Sequence, residues 1–231
     1  MAVIQCKNLH KDYQTGKTTV KALRGLSLAI ESGEFLSIVG PSGSGKSTLL
    51  NLIGCLDTPT AGEVYIRDKL VKEQGKNELA DLRRDNIGFV FQSFNLIPVL
   101  TAYENINFGL SLKGNLSAAE EHQKTMTILA EVGLKGMENR KPAELSGGQQ
   151  QRIAVARAIV KEPALVLADE PTANLDSALG EEIMHLMQKL NRNKQITFIF
   201  STHDPMVMKH GRRIIELQDG KIRNDNFKAG G

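Results

Sequence analysis

The stretch FLSIVGPSGSGKSTLL, residues 35–50, decides the fold of this 231-residue chain. Its first five residues are almost all apolar, which is typical of a strand buried on both faces. The next eight, GPSGSGKS, match the pattern G-x-x-x-x-G-K-[ST], and the residues after them have the apolar periodicity of a helix. Strand, glycine-rich loop and helix in this order predict a phosphate-binding loop at the start of an α/β unit.

The loop contains the residue types that a phosphate site requires. Its glycines let backbone N–H groups turn toward phosphate oxygens, and the helix N-terminus adds partial positive charge. We expect Lys46 to reach the β and γ phosphates and the Ser47 hydroxyl to bind Mg²⁺. A glycine-rich turn that binds nothing would not explain why the pattern and both flanking elements agree. The residues predicted to hold the nucleotide here are Gly40, Pro41, Ser42, Gly43, Ser44, Gly45, Lys46, Ser47 and Thr48.

Short apolar runs elsewhere in the chain predict the other strands. They occupy residues 20–30, 87–91, 164–168 and 196–200. The last two are unbroken, as in strands covered on both faces, and residues 181–190 between them have helical periodicity. The tail contains a hairpin pattern that turns at Asp219-Gly220. Alternating strands and helices are the signature of an α/β fold.

The middle of the chain differs from both ends. Three helical patterns occupy residues 103–112, 118–132 and 149–160, with no convincing strand among them. We therefore predict a helical lobe inserted into a single α/β domain that covers the whole chain. The predicted boundaries are about 1–92 and 161–231 for the core lobe and about 93–160 for the helical lobe.

Composition excludes several classes of protein. The net charge of +3 arises from 29 basic and 26 acidic side chains, with no run of five like charges that would mark a nucleic-acid arm. Cys6 and Cys55 form no disulfide framework and no metal-binding spacing, so we expect reduced, buried thiols in a cytosolic protein. No segment approaches the roughly 20 apolar residues of a membrane helix, and the start of the chain lacks the pattern of a signal peptide. A role at a membrane would require another chain to supply the spanning part.

Polar side chains stand where three of the predicted strands end. Asp169 and Glu170 follow the strand at 164–168, and an acidic pair at the carboxyl edge of an open α/β sheet lies where such sheets bind ligands. We expect Asp169 to hold Mg²⁺, directly or through water, and Glu170 to polarise the attacking water as general base. A helix-capping pair would be the ordinary interpretation if the phosphate loop were absent.

The other two strand ends carry less specific residues. His203 follows the strand at 196–200 and could donate a hydrogen bond to a γ phosphate, although a lone histidine is more often a surface or core residue. Gln92 follows the strand at 87–91 and could contact Mg²⁺ or the lytic water, or could cap the strand. Tyr13 precedes the core strands in what reads as a loop, where an aromatic ring either packs or stacks on a base.

A second glycine-rich segment leads into a helix at LSGGQ, residues 145–149. Ser146, Gly147 and Gly148 precede this helix, so its N-terminus is suited to an anion. Ser146 is also an acceptable helix cap, and spacing alone does not distinguish the two interpretations. Because this segment has no lysine of its own, we predict that it is the second wall of a shared phosphate site.

In their order along the chain, these motifs resemble the ATP-binding subunit of ABC transporters. The resemblance covers almost the whole chain: GPSGSGKS, Gln92, LSGGQ, LVLADE at 165–170, NLD at 174–176 and His203. LSGGQ is the most discriminating, since other phosphate-loop ATPases and GTPases lack it. Asn174 is a departure, because alanine is commonest there in the wider family. The segments FVFQSFNLIPVLTAYENI and ADEPTANLDS resemble more narrowly the branch that serves lipoprotein-releasing, macrolide-exporting and cell-division-associated membrane subunits.

The resemblance implies a phosphate-loop ATPase core with a mixed sheet, an antiparallel β subdomain and an inserted all-helical lobe. It also implies an active ATPase whose cofactors are ATP and Mg²⁺. In this family two domains meet head to tail, and the Ser-Gly-Gly end of one helix closes on the γ phosphate held by the other copy. Ser146, Gly147, Gly148 and Gln149 are thereby implied to bind the neighbour's nucleotide. Tyr13 is implied to stack on the base, Asp176 to communicate across the dimer, and Gln92 to act as the hinge between the lobes.

The resemblance also implies partners and a location. The expected partners are a second copy of the chain and an integral membrane permease, with no nucleic acid, and the expected location is the cytoplasmic face of the inner membrane, peripherally bound. Residues 94–100, FNLIPVL, are apolar beyond what a loop usually shows, and are either a docking surface or core beneath the helical lobe.

Two other classes fit the sequence less well. Soluble ABC ATPases of DNA repair or translation generally carry two such domains or a long coiled-coil insertion, and this chain has neither. A GTPase or small-molecule kinase would leave LSGGQ unexplained, and NKQI at residues 193–196 does not match the N-K-x-D guanine pattern.

Overall fold

The computed structural model describes residues 1–16, 18–71, 74–114 and 116–228. The strands are β1 Ala2–Thr15, β2 Thr18–Glu31, β3 Phe35–Val39, β4 Ala61–Ile66, β5 Lys69–Leu70, β6 Ile87–Phe91, β7 Leu165–Asp169, β8 Thr197–Ser201, β9 Arg213–Gln218 and β10 Lys221–Phe227. The helices are α1 Lys46–Ile53, α2 Lys76–Asn86, α3 Ala102–Ser111, α4 Ala118–Glu131, α5 Gly147–Ile159, α6 Ser177–Lys194 and α7 Pro205–His210. A single turn of 3-10 helix, Pro142–Glu144, precedes α5.

The central sheet has the order β10-β9-β3-β8-β7-β6. All neighbouring strands are parallel except β10, which pairs antiparallel with β9 across the Asp219-Gly220 turn. A second, antiparallel sheet has the order β2-β1-β4-β5. The α/β fold class with a mixed sheet and an antiparallel β subdomain is confirmed.

The central sheet is buried on both faces because its side chains alternate between two apolar cores. In β7, Leu165 and Leu167 join the core formed with β1, β2, β4, α1 and α2. Val166 and Ala168 point to the opposite face and pack with α3, α4, α5 and α6. Each core contains residues from several elements, so neither face of the sheet could be left uncovered without exposing a large apolar surface.

Several predicted elements agree with the structure to within a few residues. The strand before the phosphate loop, the helix after it, the strands ending at Phe91, Asp169 and Ser201, the terminal hairpin and the three helices of the middle segment are all present. Helices α3 and α4 begin with capping boxes at Thr101 and Ser117, which explains their sharp starts. The exact division into a core lobe and a helical lobe stays a prediction, since α5 packs against both α3 and β6.

The N-terminal region was predicted incorrectly. Tyr13 lies in β1 and pairs with Val20 of β2, so it is on a strand of a long hairpin and not in a loop. The sequence prediction also omitted β4, β5, α2 and α7. Repeated register shifts in the pairing of β1 with β2 break the regular alternation of apolar and polar residues, so the period that identifies a strand is weak there.

No helix within the described ranges has both the length and the apolar character that crossing a membrane requires.

Candidate active site

A cleft of about 1120 Å³ opens at the carboxyl edge of the parallel strands. Four chain segments reach it because β3, β6, β7 and β8 run in the same direction and end at the same edge. Among the residues that line it are the whole loop from Gly40 to Thr48, together with Tyr13, Gln92, Asp169, Glu170 and His203. Thus the structure brings most of the predicted site residues into one cavity.

Glycine is required at two points of the loop. Gly40 has a φ of 148°, and a Cβ there would lie 2.2 Å from the carbonyl oxygen of Leu217. Gly45 has a φ of 104°, and a Cβ there would lie 2.7 Å from the carbonyl oxygen of Ala22. Gly45 also precedes α1 without any side-chain cap, so the first N–H groups of the helix remain available to a ligand. The loop is therefore a backbone cradle for an anion.

Lys46 folds back over this cradle. Its Nζ donates to the carbonyl oxygens of Gly40 at 2.7 Å and Pro41 at 3.0 Å. These neutral acceptors can be exchanged for phosphate oxygens, which form stronger, charge-assisted hydrogen bonds. Lys21 and Arg24 of β2 add positive charge to the cavity wall, and neither was predicted from the sequence.

Glu170 is the most firmly held carboxylate of the cavity. Its Oε1 lies 2.5 Å from Nδ1 of His203 and accepts from the His203 backbone N–H at 3.2 Å. Its Oε2 accepts from the Thr202 hydroxyl at 2.9 Å. The backbone of Glu170 has a φ of 45°, a left-handed conformation that is costly for a residue other than glycine. This backbone is fixed by a hydrogen bond from the Glu170 N–H to the carbonyl oxygen of Ser201, at 2.9 Å.

Sequence reasoning missed Thr202. Its side chain is fully buried, and its hydroxyl both donates to Glu170 and accepts from the backbone N–H of Asp204, at 3.0 Å. A hydroxyl residue directly before His203, at the end of a buried strand, was the available signal. Thr202 therefore positions the carboxylate that was predicted to act as general base.

The cavity offers oxygen donors suited to a hard divalent cation. The Ser47 hydroxyl, the Gln92 amide and the Asp169 carboxylate all line it. Magnesium prefers such oxygen ligands, often with several waters and substrate phosphates, so this donor set fits the ion.

Tyr13 lines the same cavity. Its hydroxyl donates to Oδ2 of Asp57 at 3.0 Å, and the Nζ of Lys11 lies 4.9 Å from its ring centroid. Partial burial opposes ionisation of Asp57, but hydrogen bonds from Lys11, Thr58 and Tyr13 hold the pKa of this carboxyl below its usual range. The ring is thus fixed in place by an ionised carboxylate.

The second glycine-rich segment lies outside this cavity. Ser146 begins α5 as a capping box, in which its hydroxyl accepts from the Gln149 N–H at 3.3 Å and the Gln149 side chain accepts from the Ser146 N–H at 2.9 Å. Within one chain the segment is therefore a capped helix start. Asp176 likewise lies outside the cavity and caps α6 by accepting from the Leu179 N–H at 3.0 Å. Both side chains are exposed.

Gln92 connects the cavity to the rest of the molecule. Its carbonyl oxygen accepts a hydrogen bond from Nδ2 of Asn174 at 3.1 Å. Asn174, which departs from the alanine commonest in the wider family, thus has a defined contact. The next residues are gripped by α5, because the guanidinium of Arg157 donates to the carbonyl oxygens of Phe94 at 2.9 Å and Asn95 at 2.6 Å. Residues 94–100 then divide: Leu96 packs against the core of the helical segment, whereas Val99 is 73% exposed.

Together, the fold and this cavity define a phosphate-loop nucleotide hydrolase with an added helical segment. Comparison with known families agrees, because the ABC transporter family model matches residues 23–173, which is more than half of the chain. The chain belongs to the ABC transporter family, as its ATP-binding and ATP-hydrolysing component.

Individual relatives are similar over the whole chain. The uncharacterized ABC transporter ATP-binding protein MJ0796 of Methanocaldococcus jannaschii is 49% identical over 231 residues, covering 99% of this chain and 98% of that protein. The macrolide export ATP-binding/permease protein MacB of Hyphomonas neptunium is 46% identical over 97% of this chain, which spans only 34% of that protein. A solved dimeric, post-hydrolysis structure of MJ0796 bound to ADP and Pi superposes with a TM-score of 0.89 at 48% identity, covering 99% of this chain and 100% of that chain.

Proposed function

We propose that this chain hydrolyses ATP in a head-to-tail dimer and thereby drives a separate membrane permease from the cytoplasmic face of the membrane. The observation that carries the proposal is the distribution of the motifs. The phosphate loop, Asp169, Glu170 and His203 share one cavity, while Ser146 and Asp176 are exposed outside it. A second copy is the simplest source of a Ser-Gly-Gly wall for a cavity that lacks one.

The residues of the cavity have separate roles in this proposal. The loop N–H groups and Lys46 bind the phosphates, and Tyr13 stacks on the base from a ring that Asp57 holds in place. Glu170, positioned by Thr202, accepts a proton from the attacking water, and His203 contacts the γ phosphate. Mg²⁺, bound through Ser47, Gln92 and Asp169, would supply charge neutralisation at the phosphate oxygens.

The shared site can be tested with two inactive variants. Ser146→Arg should abolish hydrolysis but leave nucleotide binding intact, because Lys46 stays in place. Lys46→Ala should abolish hydrolysis by removing the phosphate ligand. A mixture of the two should recover part of the activity, since a mixed dimer has one site with both residues.

Ser117→Arg is the matched control for Ser146→Arg. Ser117 caps α4 with the same capping box, so losing either cap should cost about 1 kcal/mol of stability, but Ser117 lies outside the proposed interface. The Ser117 variant should keep full ATPase activity. A mixture that stays inactive, although the Ser146→Arg chain binds nucleotide and the two chains form a mixed dimer, would contradict the shared site.

A permease partner is supported by two observations. The name of MacB joins ATP binding and permease in one protein. Val99, in the segment that follows Gln92, is 73% exposed. Phe108 on α3 is 45% exposed, and Leu112, the residue after α3, is 55% exposed. Exposed apolar side chains on the segments that follow Gln92 suit a partner that must sense nucleotide state.

Affinity capture from detergent-solubilised membranes tests this partner. The wild-type chain should retain an integral membrane protein, and Val99→Lys should retain much less of it because a charge is placed in an apolar contact. Leu56→Lys, which changes another exposed apolar side chain (53% exposed), should behave as wild type. Recovery of ribosomes or DNA instead would favour the soluble nucleic-acid class.

A further inference from the structure

Two histidines and a glutamate form a cluster on helices α6 and α7. None of the three lines the cavity that holds the phosphate loop and the acidic pair. Glu181 and His185 are one turn apart on α6, and His210 is the last residue of α7. One ligand atom from each of the three lies within 4.8 Å of the other two, and no other such cluster occurs among the described residues. We propose that this cluster binds a divalent transition-metal ion of the zinc type.

The distances are close to what one ion requires. The Glu181 Oε2 atom lies 3.1 Å from His210 Nε2, and the Glu181 Oε1 atom lies 3.8 Å from His185 Nε2. Two ligands bound tetrahedrally to one zinc ion, each at about 2.0–2.2 Å, are separated by roughly 3.4 Å. The ligand atoms of His185 and His210 lie within 4.8 Å of each other, and the two rings pack edge to face with centroids 5.0 Å apart, so rotation of the exposed His185 ring would bring all three atoms to a common ion. A set of two imidazoles and one carboxylate is a known zinc ligand set.

His210 is the feature that points to a ligand. Its side chain is only 7% exposed, yet its Nε2 makes no hydrogen bond. Oε2 of Glu181 lies 3.1 Å from this nitrogen and forms an ion pair with it only if the imidazole is protonated, so the neutral ring has no hydrogen-bond partner there. A buried polar atom without a partner is costly, and a metal ion shared with Glu181 would satisfy it.

The surroundings make the site accessible and hold it in place. His185 is 64% exposed, so an ion can enter from solvent and a water can complete its coordination. Nε2 of Gln188 on α6 donates to the His210 carbonyl oxygen at 3.2 Å, which fixes the end of α7 against α6. A bound ion would join the helix that follows Asp176 to the helix that follows His203.

The cysteines do not compete for the ion. Burial raises the pKa of the Cys6 thiol to about 12 and that of the Cys55 thiol to about 11, so neither is a thiolate at neutral pH. The phosphate-loop cavity can compete, because it holds Asp169, Glu170 and His203. A test must therefore separate these two places.

The test is a zinc titration against a chromogenic chelator, with nucleotide-free chain in excess Mg²⁺. Wild type should bind one zinc ion per chain at micromolar free zinc. His185→Ala should lower the affinity at least tenfold, and its exposed position lets the variant fold normally. His122→Ala is the matched control, since this exposed histidine lies on α4 and contacts Tyr103, and it should bind zinc as wild type does. No zinc binding by wild type, or equal binding by His185→Ala, would overturn the proposal.

Two further measurements assign the ion to the cluster. His203→Ala should retain the zinc, and loss of zinc in this variant but not in His185→Ala would place the ion in the nucleotide cavity and overturn the proposal. Zinc should slow amide hydrogen exchange in α7 of the wild type but not of His185→Ala, because the ion pins α7 to α6. Unchanged exchange in both would overturn the proposal as well.

Discussion

Glu170 shows how a single side chain is prepared for proton transfer. Its two carboxylate oxygens are occupied by His203 and Thr202, and its left-handed backbone is fixed by Ser201. The Glu170 side chain is only 19% exposed, whereas the side chain of His203, to which it is bonded, is 78% exposed. The carboxylate is therefore fixed, and the exposed imidazole, which Glu170 holds through Nδ1, can still meet a ligand that enters the cavity.

The variant Glu170→Gln tests whether this carboxylate accepts the proton of the attacking water. The amide keeps the shape and one acceptor but cannot take a proton, so turnover should fall about 10²–10⁴-fold while nucleotide affinity stays within a few-fold of wild type. An ATP-dependent dimer should then accumulate and be visible by gel filtration. Glu182→Gln, an exposed change on α6, is the control and should hydrolyse normally. Normal turnover of the Glu170 variant would remove this residue from the mechanism.

Helix α5 is the element that joins the parts of the molecule. It begins at Ser146, its buried Gln151 donates to the Pro171 carbonyl oxygen beside Glu170, and its Arg157 holds the chain after Gln92. The Phe94 and Asn95 carbonyls that Arg157 holds belong to left-handed residues, with φ of 61° and 49°. One helix therefore begins at the proposed interface and contacts both the residue after the acidic pair and the proposed docking segment.

Arg157→Met tests the coupling through this helix. Methionine keeps much of the apolar stem but removes two charge-assisted hydrogen bonds, each worth about 1.5–3 kcal/mol. Amide exchange in residues 94–100 should accelerate clearly in this variant. Arg152→Met on the same helix, whose guanidinium contacts Val132 and Glu182, should leave that segment unchanged. Equal exchange in both variants would show that Arg157 does not hold the segment.

At the scale of the whole molecule, Arg213 ties the two sheets together. This residue of β9 is 7% exposed, and its guanidinium pairs with Asp225 of β10 at 2.7 Å and with Glu34 before β3 at 3.0 Å. It also donates to the Ala29 carbonyl oxygen of β2 at 2.9 Å. Hydrogen bonds and charge from both carboxylates hold its pKa above the usual range. The central sheet, through β9 and β10, and the antiparallel sheet, through β2, thus share one buried cation.

Arg213→Met should destabilise the fold by about 3–5 kcal/mol, because it leaves two carboxylates and a carbonyl without their shared partner. Urea unfolding measures this. Arg223→Met is the control: Arg223 is 61% exposed and lies 3.7 Å from Glu216, so its loss should cost less than about 0.5 kcal/mol. A similar small change for both variants would mean that the buried network does not support the fold.

The sequence by itself determined the phosphate loop, the strands that lead to Gln92, Asp169 and His203, and the three helices of the middle segment. Each is local information: an apolar run of fixed length, a capping residue or a contiguous motif. The family followed from the order of those motifs. The placement of Tyr13 in a loop was wrong, because a bulged hairpin lacks the regular period from which a strand is recognised.

Only the tertiary structure decided which distant residues meet. Glu170 with Thr202, Arg157 with Phe94, and Glu181 with His210 are pairs separated along the chain, and their contact depends on the strand order β3-β8-β7-β6 and on how helices cover it. No local pattern encodes that order, because it results from burying both faces of one sheet at once. The same packing placed Ser146 outside the cavity, and the proposal therefore takes the Ser-Gly-Gly wall from a second copy.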